Sequence, residues 1–265
     1  MPTSSISTKT GVPLDLATAR DRRRTVTRRF AAALLILGLE LLVSVVLATG
    51  IGRMEISWPT VFSVIFGKLG FAVTPQDRTT EVVIWGIRLS RVVLSGLVGA
   101  SLATAGVVFQ GLLLNPLADP FTLGVSTGAA LGVALLVMLG VGGSFLGLSP
   151  LPLGALIGAL GAMVVVLMLS RESAGRIRKE SLILAGIVVS TFLSALISLI
   201  KSLDEESLSA IVFWIMGSFS GRGWIHVGFL LPYMLLGLVL AFSYHRELDI
   251  LALGQRPSPQ PPSKH

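Results

Sequence analysis

Apolar residues recur along this chain in runs near twenty positions long, separated by short polar breaks. A helix rises about 1.5 Å per residue, so crossing a hydrocarbon layer of about 30 Å takes about 20 apolar residues. On that ruler the pattern predicts six spans: Phe30–Thr49, Val92–Leu113, Phe121–Val141, Leu151–Ser170, Leu182–Ile200 and Ile225–Ser243. Leu208–Gly217 is apolar but too short to cross, and it reads as a re-entrant or interfacial half-helix. The stretch 50–91 is mixed in character, with Trp58, Pro59, Phe62, Phe66 and Pro75, and predicts a short helix at the outer membrane surface. The expected fold is an all-α polytopic membrane bundle of about six transmembrane helices plus the short one. Residues 1–29 form a basic tail and 30–254 the transmembrane domain. In 255–265, Pro257, Pro259, Pro261 and Pro262 crowd together and predict a disordered tail. The first run exceeds the 7–15 residues of a signal peptide's apolar core and lacks a convincing cleavage site, so it reads as a retained helix.

Composition removes the soluble alternative. Hydrophobic residues make up 52% of the 265 and charged residues 13%, against roughly 25% charged in an ordinary soluble domain. The mean hydropathy of +0.83 needs several apolar segments rather than one anchor. There is no cysteine, so neither a disulfide framework nor a thiolate metal site can form. No cofactor is expected. The net charge of +7 is concentrated at the start: seven of 21 Lys and Arg lie in the first 29 residues. No aromatics interleave with these charges, which argues against nucleic acid and for a cytoplasmic flank facing anionic lipid. With the N-terminus inside, the inner segments hold 14 Lys and Arg and the outer ones 7. That bias predicts both ends in the cytoplasm.

Small residues recur at four-residue spacing: Gly124, Gly128 and Gly132; Gly154, Gly158 and Ala162; Gly96, Ala100 and Thr104. No hydrophobic force draws helices together in lipid, so such rows predict close backbone packing. Gly124-Val125-Ser126-Thr127-Gly128 matches a serine-hydrolase elbow, and an intramembrane hydrolase pairing Ser126 with His226 is one alternative. The packing explanation already covers both glycines. In the fifth span Gly186, Ser190, Ser194 and Ser198 make a small polar stripe on one face. It is either a seam, with hydroxyls bonded back to their own helix, or the smooth wall of a translocation pathway. Glu40 sits mid-span, where a carboxylate costs about 2.5–3.5 kcal/mol on insertion scales. It could serve an ion-coupled secondary transporter or channel, but it reads as structural. No phosphate-binding G-x-x-x-x-G-K-[ST] loop occurs, since Gly67-Lys68 is followed by Leu69. ATP-driven work would need a separate subunit.

Several motifs together resemble one family. Arg88-Leu-Ser-Arg91, Phe109-Gln110-Gly111, Asn115-Pro116-Leu117-Ala118-Asp119-Pro120-Phe121 and Leu123-Gly124-Val125-Ser126 closely resemble the permeases of bacterial iron-complex, haem and vitamin B12 importers. Leu184-Ala185-Gly186-Ile187 and Phe213-Trp214-Ile215-Met216-Gly217-Ser218 extend the match. The resemblance implies a type II ABC import permease of the bacterial inner membrane. It implies a transport subunit rather than an enzyme, with ten helices in a complete subunit. The implied partners are a second permease copy or paralogue, a cytoplasmic ATPase and an extracytoplasmic substrate-binding protein. The stripe Gly186, Ser190, Ser194 and Ser198 then lines the pathway for an iron siderophore, haem or vitamin B12. By the same resemblance Arg88 and Arg91 are expected to meet acidic residues of the binding protein, and Glu247, Leu248, Asp249, Leu251, Leu253 and Gly254 to begin the ATPase contact.

After Gly254 the sequence departs from the family pattern and turns to Gln255-Arg256-Pro257-Ser258-Pro259. The reading therefore expects the six-helix N-terminal portion of a permease. With its coupling segment broken off, that portion should not sustain import by itself.

Overall fold

The computed structural model describes residues 16–72, 76–141, 149–171, 178–203 and 205–252. The elements among them are helical: α1 (Leu16–Gly50), α2 (Trp58–Lys68), α3 (Arg78–Glu81), α4 (Ser90–Leu113), α5 (Val125–Met138), α6 (Leu151–Leu169), α7 (Lys179–Leu203), α8 (Glu205–Met216), α9 (Trp224–Ser243) and α10 (His245–Ala252). A π-helical stretch, Val82–Leu89, joins α3 to α4, so Arg78–Leu113 is helical throughout its 36 residues. Among the described residues five helices are long and apolar enough to cross a membrane: Arg24–Gly50, Arg78–Leu113, Leu151–Leu169, Lys179–Leu203 and Trp224–Ser243. The molecule is a multi-pass membrane helix bundle. Its backbone divides into two compact units, Met1–Val92 and Val93–His265.

In the first unit a small core fixes the stretch between the first two spans. Val61 and Val64 of α2 bury against Ile84 of the π-helical stretch, with Ile56, Ile65 and Trp85 around them. Pro59 sits at the start of α2, where its missing N–H costs nothing. The helix ends at Leu69 and Gly70, whose φ of 92° suits glycine. Asp77 caps α3 by accepting from the Thr79 amide at 3.1 Å. An ion pair between Lys68 and Glu81 ties the end of α2 to α3.

The second unit is organised on α5 and α6, its most extensively packed pair of helices. The two touch through glycine. A Cβ built on Gly128 would lie 2.5 Å from the Gly158 carbonyl oxygen and equally close to Ala162 Cβ. Cβ atoms on Gly132 and Gly158 would collide with the carbonyls of Gly154 and Gly128. The two backbones therefore meet without side chains between them, as the rows on these two helices predict, whereas a Cβ on Gly96, in the third row, would meet nothing within 4 Å. Across the pair lies α7. Ala185 and Val189 pack with Leu123 and Val166, while Ile197 and Ile200 pack with Ala130, Ala134 and Ile211 of α8.

Three boundaries differ from the sequence-based expectation. The third span, expected over Phe121–Val141, is the 14-residue helix α5, because a 3-10 turn at Pro120–Leu123 and Gly124 at φ 76° precede it. The second span begins at Arg78 rather than Val92, since the π-helical stretch continues the helix through residues read as loop. Part of the basic tail, from Leu16, is helical and continuous with the first span. The short apolar segment read as a half-helix is α8, whose Ile211 is wholly buried in the bundle. The proline-rich segment 255–265 lies outside the described residues.

The glycine contacts carry a direct expectation. Gly158→Ala forces α5 and α6 apart and should destabilise the bundle by about 1–3 kcal/mol, the usual cost of overpacking. Gly161→Ala, where nothing lies within 4 Å of an added Cβ, should be neutral. Thermal unfolding of both variants in detergent checks this pair.

Candidate functional site

The segment that joins α4 to α5 is a tight, self-bonded turn. Leu114, at φ 51°, ends α4. The Asn115 carboxamide oxygen accepts from the Leu117 amide at 2.9 Å. Asp119 accepts from the Thr122 amide at 2.9 Å, and the Thr122 hydroxyl donates to the Asp119 carbonyl at 2.8 Å. Pro120 starts the 3-10 turn, and left-handed Gly124 redirects the chain into α5. Each polar side chain here serves its own backbone.

This turn rests on the first half of the α7 stripe. A Cβ on Gly186 would collide with the Thr122 carbonyl, and one on Gly124 would lie 3.1 Å from Ser190 Oγ. Gly186 is buried and Ser190 half-buried, and the Ser190 hydroxyl donates to the Gly186 carbonyl at 2.7 Å. These two residues form a packing seam. Ser194 and Ser198 differ. Both are exposed, and among the described residues neither hydroxyl has a hydrogen bond. They also lie off the apolar groove of about 560 Å³ that Ile157, Gly161, Val165, Val188 and Phe192 line between α5, α6 and α7. The stripe thus changes character between its second and third members, from filled contact to open weakly polar surface.

The helix α10 carries the residues expected at an ATPase contact. Glu247, Asp249 and Leu251 are exposed and Leu248 is half-buried. Leu253 and Gly254 lie outside the described residues. Ser126 is exposed in the first turn of α5, and His226 accepts from the Gly223 amide at 3.3 Å and lies 3.1 Å from an Arg222 nitrogen. Among the described residues nothing joins Ser126 to a histidine, and the structure gives the hydrolase alternative no dyad. Glu40 is exposed midway along α1 and, among the described residues, has no partner. No group of His, Asp and Glu is gathered as a metal site among the described residues.

Arg88 and Arg91 are half-buried rather than freely exposed. The Arg88 guanidinium donates from Nη1 to the carbonyls of Gly50 at 2.8 Å and Thr49 at 3.3 Å, and from Nη2 to that of Met54. It caps the C-terminus of α1, where unpaired carbonyls and the helix dipole favour a cation. Gly52 makes room: a Cβ there would stand 2.6 Å from Nη2. Arg91 Nε is buried without a hydrogen-bond partner. Sequence reasoning missed this clamp, although an Arg within reach of a span's end and a glycine just past it were the available signals. Arg88→Met should cost about 1.5–3 kcal/mol locally, as for a hydrogen bond to a charged group. Amide exchange over 51–57 should then accelerate roughly tenfold or more, with Arg91→Met leaving it unchanged. Hydrogen-exchange mass spectrometry reads the difference.

The comparisons with known proteins agree with this architecture. The model of the FecCD transport family matches residues 40–260. The uncharacterized ABC transporter permease protein YvrB of Bacillus subtilis is 41% identical over 236 residues, covering 88% of this chain and 66% of YvrB. The cobalamin import system permease protein BtuC of Halobacterium salinarum is 35% identical over 199 residues, covering 75% of this chain and 52% of that protein. A solved structure assigned to the metal-chelate type of ABC transporter, in an inward-facing conformation, superposes with a TM-score of 0.68. It is 32% identical, with 85% of this chain and 66% of that one covered. The chain thus spans between about half and two thirds of the length of these relatives. With its helical bundle, its glycine rows and a family match over most of its residues, the chain belongs to the FecCD transport family.

Proposed function

We propose that this chain acts as the permease subunit of an ABC importer that moves a metal complex (an iron siderophore, haem or a cobalamin) across the bacterial inner membrane. Family membership and the names of its relatives support the reading. A second permease copy or paralogue closes the pathway, and an extracytoplasmic binding protein docks at Arg88 and Arg91 to deliver the solute. A separate ATPase engages Glu247, Leu248, Asp249 and Leu251, with Leu253 and Gly254 following. Both termini lie in the cytoplasm, in keeping with the charge bias of the loops.

The observation that carries the proposal is the open half of the α7 stripe. Ser194 and Ser198 offer unbonded hydroxyls on a helix that has no charge between Glu180 and Lys201. Such a wall can be wetted, yet it has nothing to trap a large complex. Gly186 and Ser190 set the wall's position by packing against the 3-10 turn. Pathway recognition can stay weak because a binding protein selects the solute beforehand.

The chain has no native cysteine, so single cysteines report cleanly. In membranes, Ser194→Cys and Ser198→Cys should react with a charged thiol reagent from water, because only a wetted thiol ionises. Ser190→Cys should be protected. In an assembled transporter, Ser194→Trp should abolish uptake of the complex while the subunit still folds. Slow labelling at 194 and 198 together with normal uptake by Ser194→Trp would make the whole stripe a packing seam.

A further inference from the structure

We infer that α2 anchors the molecule to the membrane surface, with the uncovered rings of Trp58, Phe62 and Phe66 in contact with lipid in the interfacial layer. The starting observation is that α2 is apolar on two sides. Val61 and Val64 are buried against Ile84. On another side Trp58, Phe62 and Phe66, spaced by four, are 41%, 41% and 46% exposed. The Trp58 and Phe62 rings stand 6.5 Å apart. A helix with one apolar face on protein and a second uncovered needs a second apolar environment. At 11 residues it extends only about 16 Å and cannot cross the bilayer itself.

Its height is fixed by contacts at both ends. The Trp58 ring fills the space beside Gly50, the last residue of α1, so α2 starts level with the end of a membrane span. The Arg88 bond to the Gly50 carbonyl brings the second helix to that same level. The other end of α2 is held by the Lys68–Glu81 ion pair, alongside the part of the second helix that precedes Arg88. The helix therefore climbs away from the hydrocarbon as it runs. The headgroup layer on each side is about 5–8 Å deep, so a helix that starts at the level of Gly50 lies within its reach.

The chemistry selects lipid over the other occupants. Aromatic rings concentrate at this depth because the interface accepts an apolar body with a polarisable face. No charged side chain occurs from Trp58 to Gly67. A soluble partner that binds and leaves would return three large rings to water at each cycle. Leu47 in the last turn of α1 and Ile51 just beyond it are also uncovered, so apolar surface continues from α2 onto the end of α1. This inference does not depend on which solute the transporter carries.

The test uses the full chain reconstituted in phosphatidylcholine–phosphatidylglycerol nanodiscs. Single cysteines in Phe62→Cys and Phe66→Cys carry a small fluorophore, and quenching is measured with nitroxide lipids and with aqueous iodide. Nitroxide near the headgroup should quench both positions roughly two- to three-fold more than nitroxide deep in the acyl chain, as expected at interfacial depth. Position 62 should be the more strongly quenched of the two, and iodide should act weakly. Strong iodide quenching without nitroxide quenching would overturn the proposal in favour of a water-exposed face. Protection from both quenchers would overturn it in favour of a protein partner or a second copy. If either cysteine variant fails to fold, the native chain can be photolabelled with a diazirine-bearing lipid. Adducts in the peptide containing 58–66 support the anchor. Adducts on 31–43 alone contradict it.

Discussion

In lipid, two helices stay together only if their backbones approach closely enough for dispersion and weak polar contacts to outweigh contact with acyl chains. The pair α5–α6 meets this condition with glycine facing glycine at Gly128 with Gly158 and Gly132 with Gly154. The rest of the second unit is built on that pair. The side chains of Ala185, Val189, Ile197 and Ile200 seat α7 across it, and Ile211 fastens α8 to the same core. Were α5 and α6 a side chain further apart, Leu123, Val166 and Val189 could not close around one another.

A second constraint on space explains why one stripe has a packed half and an open half. The Asn115–Gly124 turn bonds Asn115, Asp119 and Thr122 to its own backbone, so these side chains ask nothing of the helix on which the turn rests, while Leu117 and Phe121 stay exposed. Its seat on α7 requires a residue without a Cβ at Gly186 and a small one at Ser190. That contact takes up the first two members of the stripe and holds the helix in rotation. Ser194 and Ser198 are then presented outward by geometry rather than by any interaction of their own. In the first unit, Arg88 plays a comparable part by using its charge on three backbone carbonyls. Arg91 retains a buried Nε with no acceptor.

The bundle was legible in the sequence because apolar run length and glycine spacing report directly on bilayer thickness and helix approach. Family motifs marked the same residues from a second direction. The break before α5 was also there to be read: Asp119-Pro120 is a cap followed by a first-turn proline, and Gly124 suits a left-handed turn. A hydropathy ruler overlooks it because Phe121 and Leu123 are apolar whatever their backbone does. The early start of the second span was harder to read. A π-helical stretch has no signature in apolar periodicity, and Arg88 fell in the 50–91 stretch read as lying outside the span when it is a clamp within the helix. The division of the stripe could not be inferred at all from α7, because it depends on where residues 122–124 come to rest.

The central claim is that direct backbone contact between α5 and α6 holds this bundle together, and a double-mutant cycle on facing glycines tests it most directly. Unfolding free energies would be measured in bicelles for Gly128→Ala, Gly158→Ala and the pair. Once one methyl has pushed the helices apart, the second should cost little, so the pair should fall short of the sum by about 1 kcal/mol or more. A cycle of Gly158→Ala with Gly161→Ala, whose Cβ would meet nothing, should be additive within about 0.5 kcal/mol. Full additivity between positions 128 and 158 would contradict the account, because it would mean that the two glycines do not share one close contact.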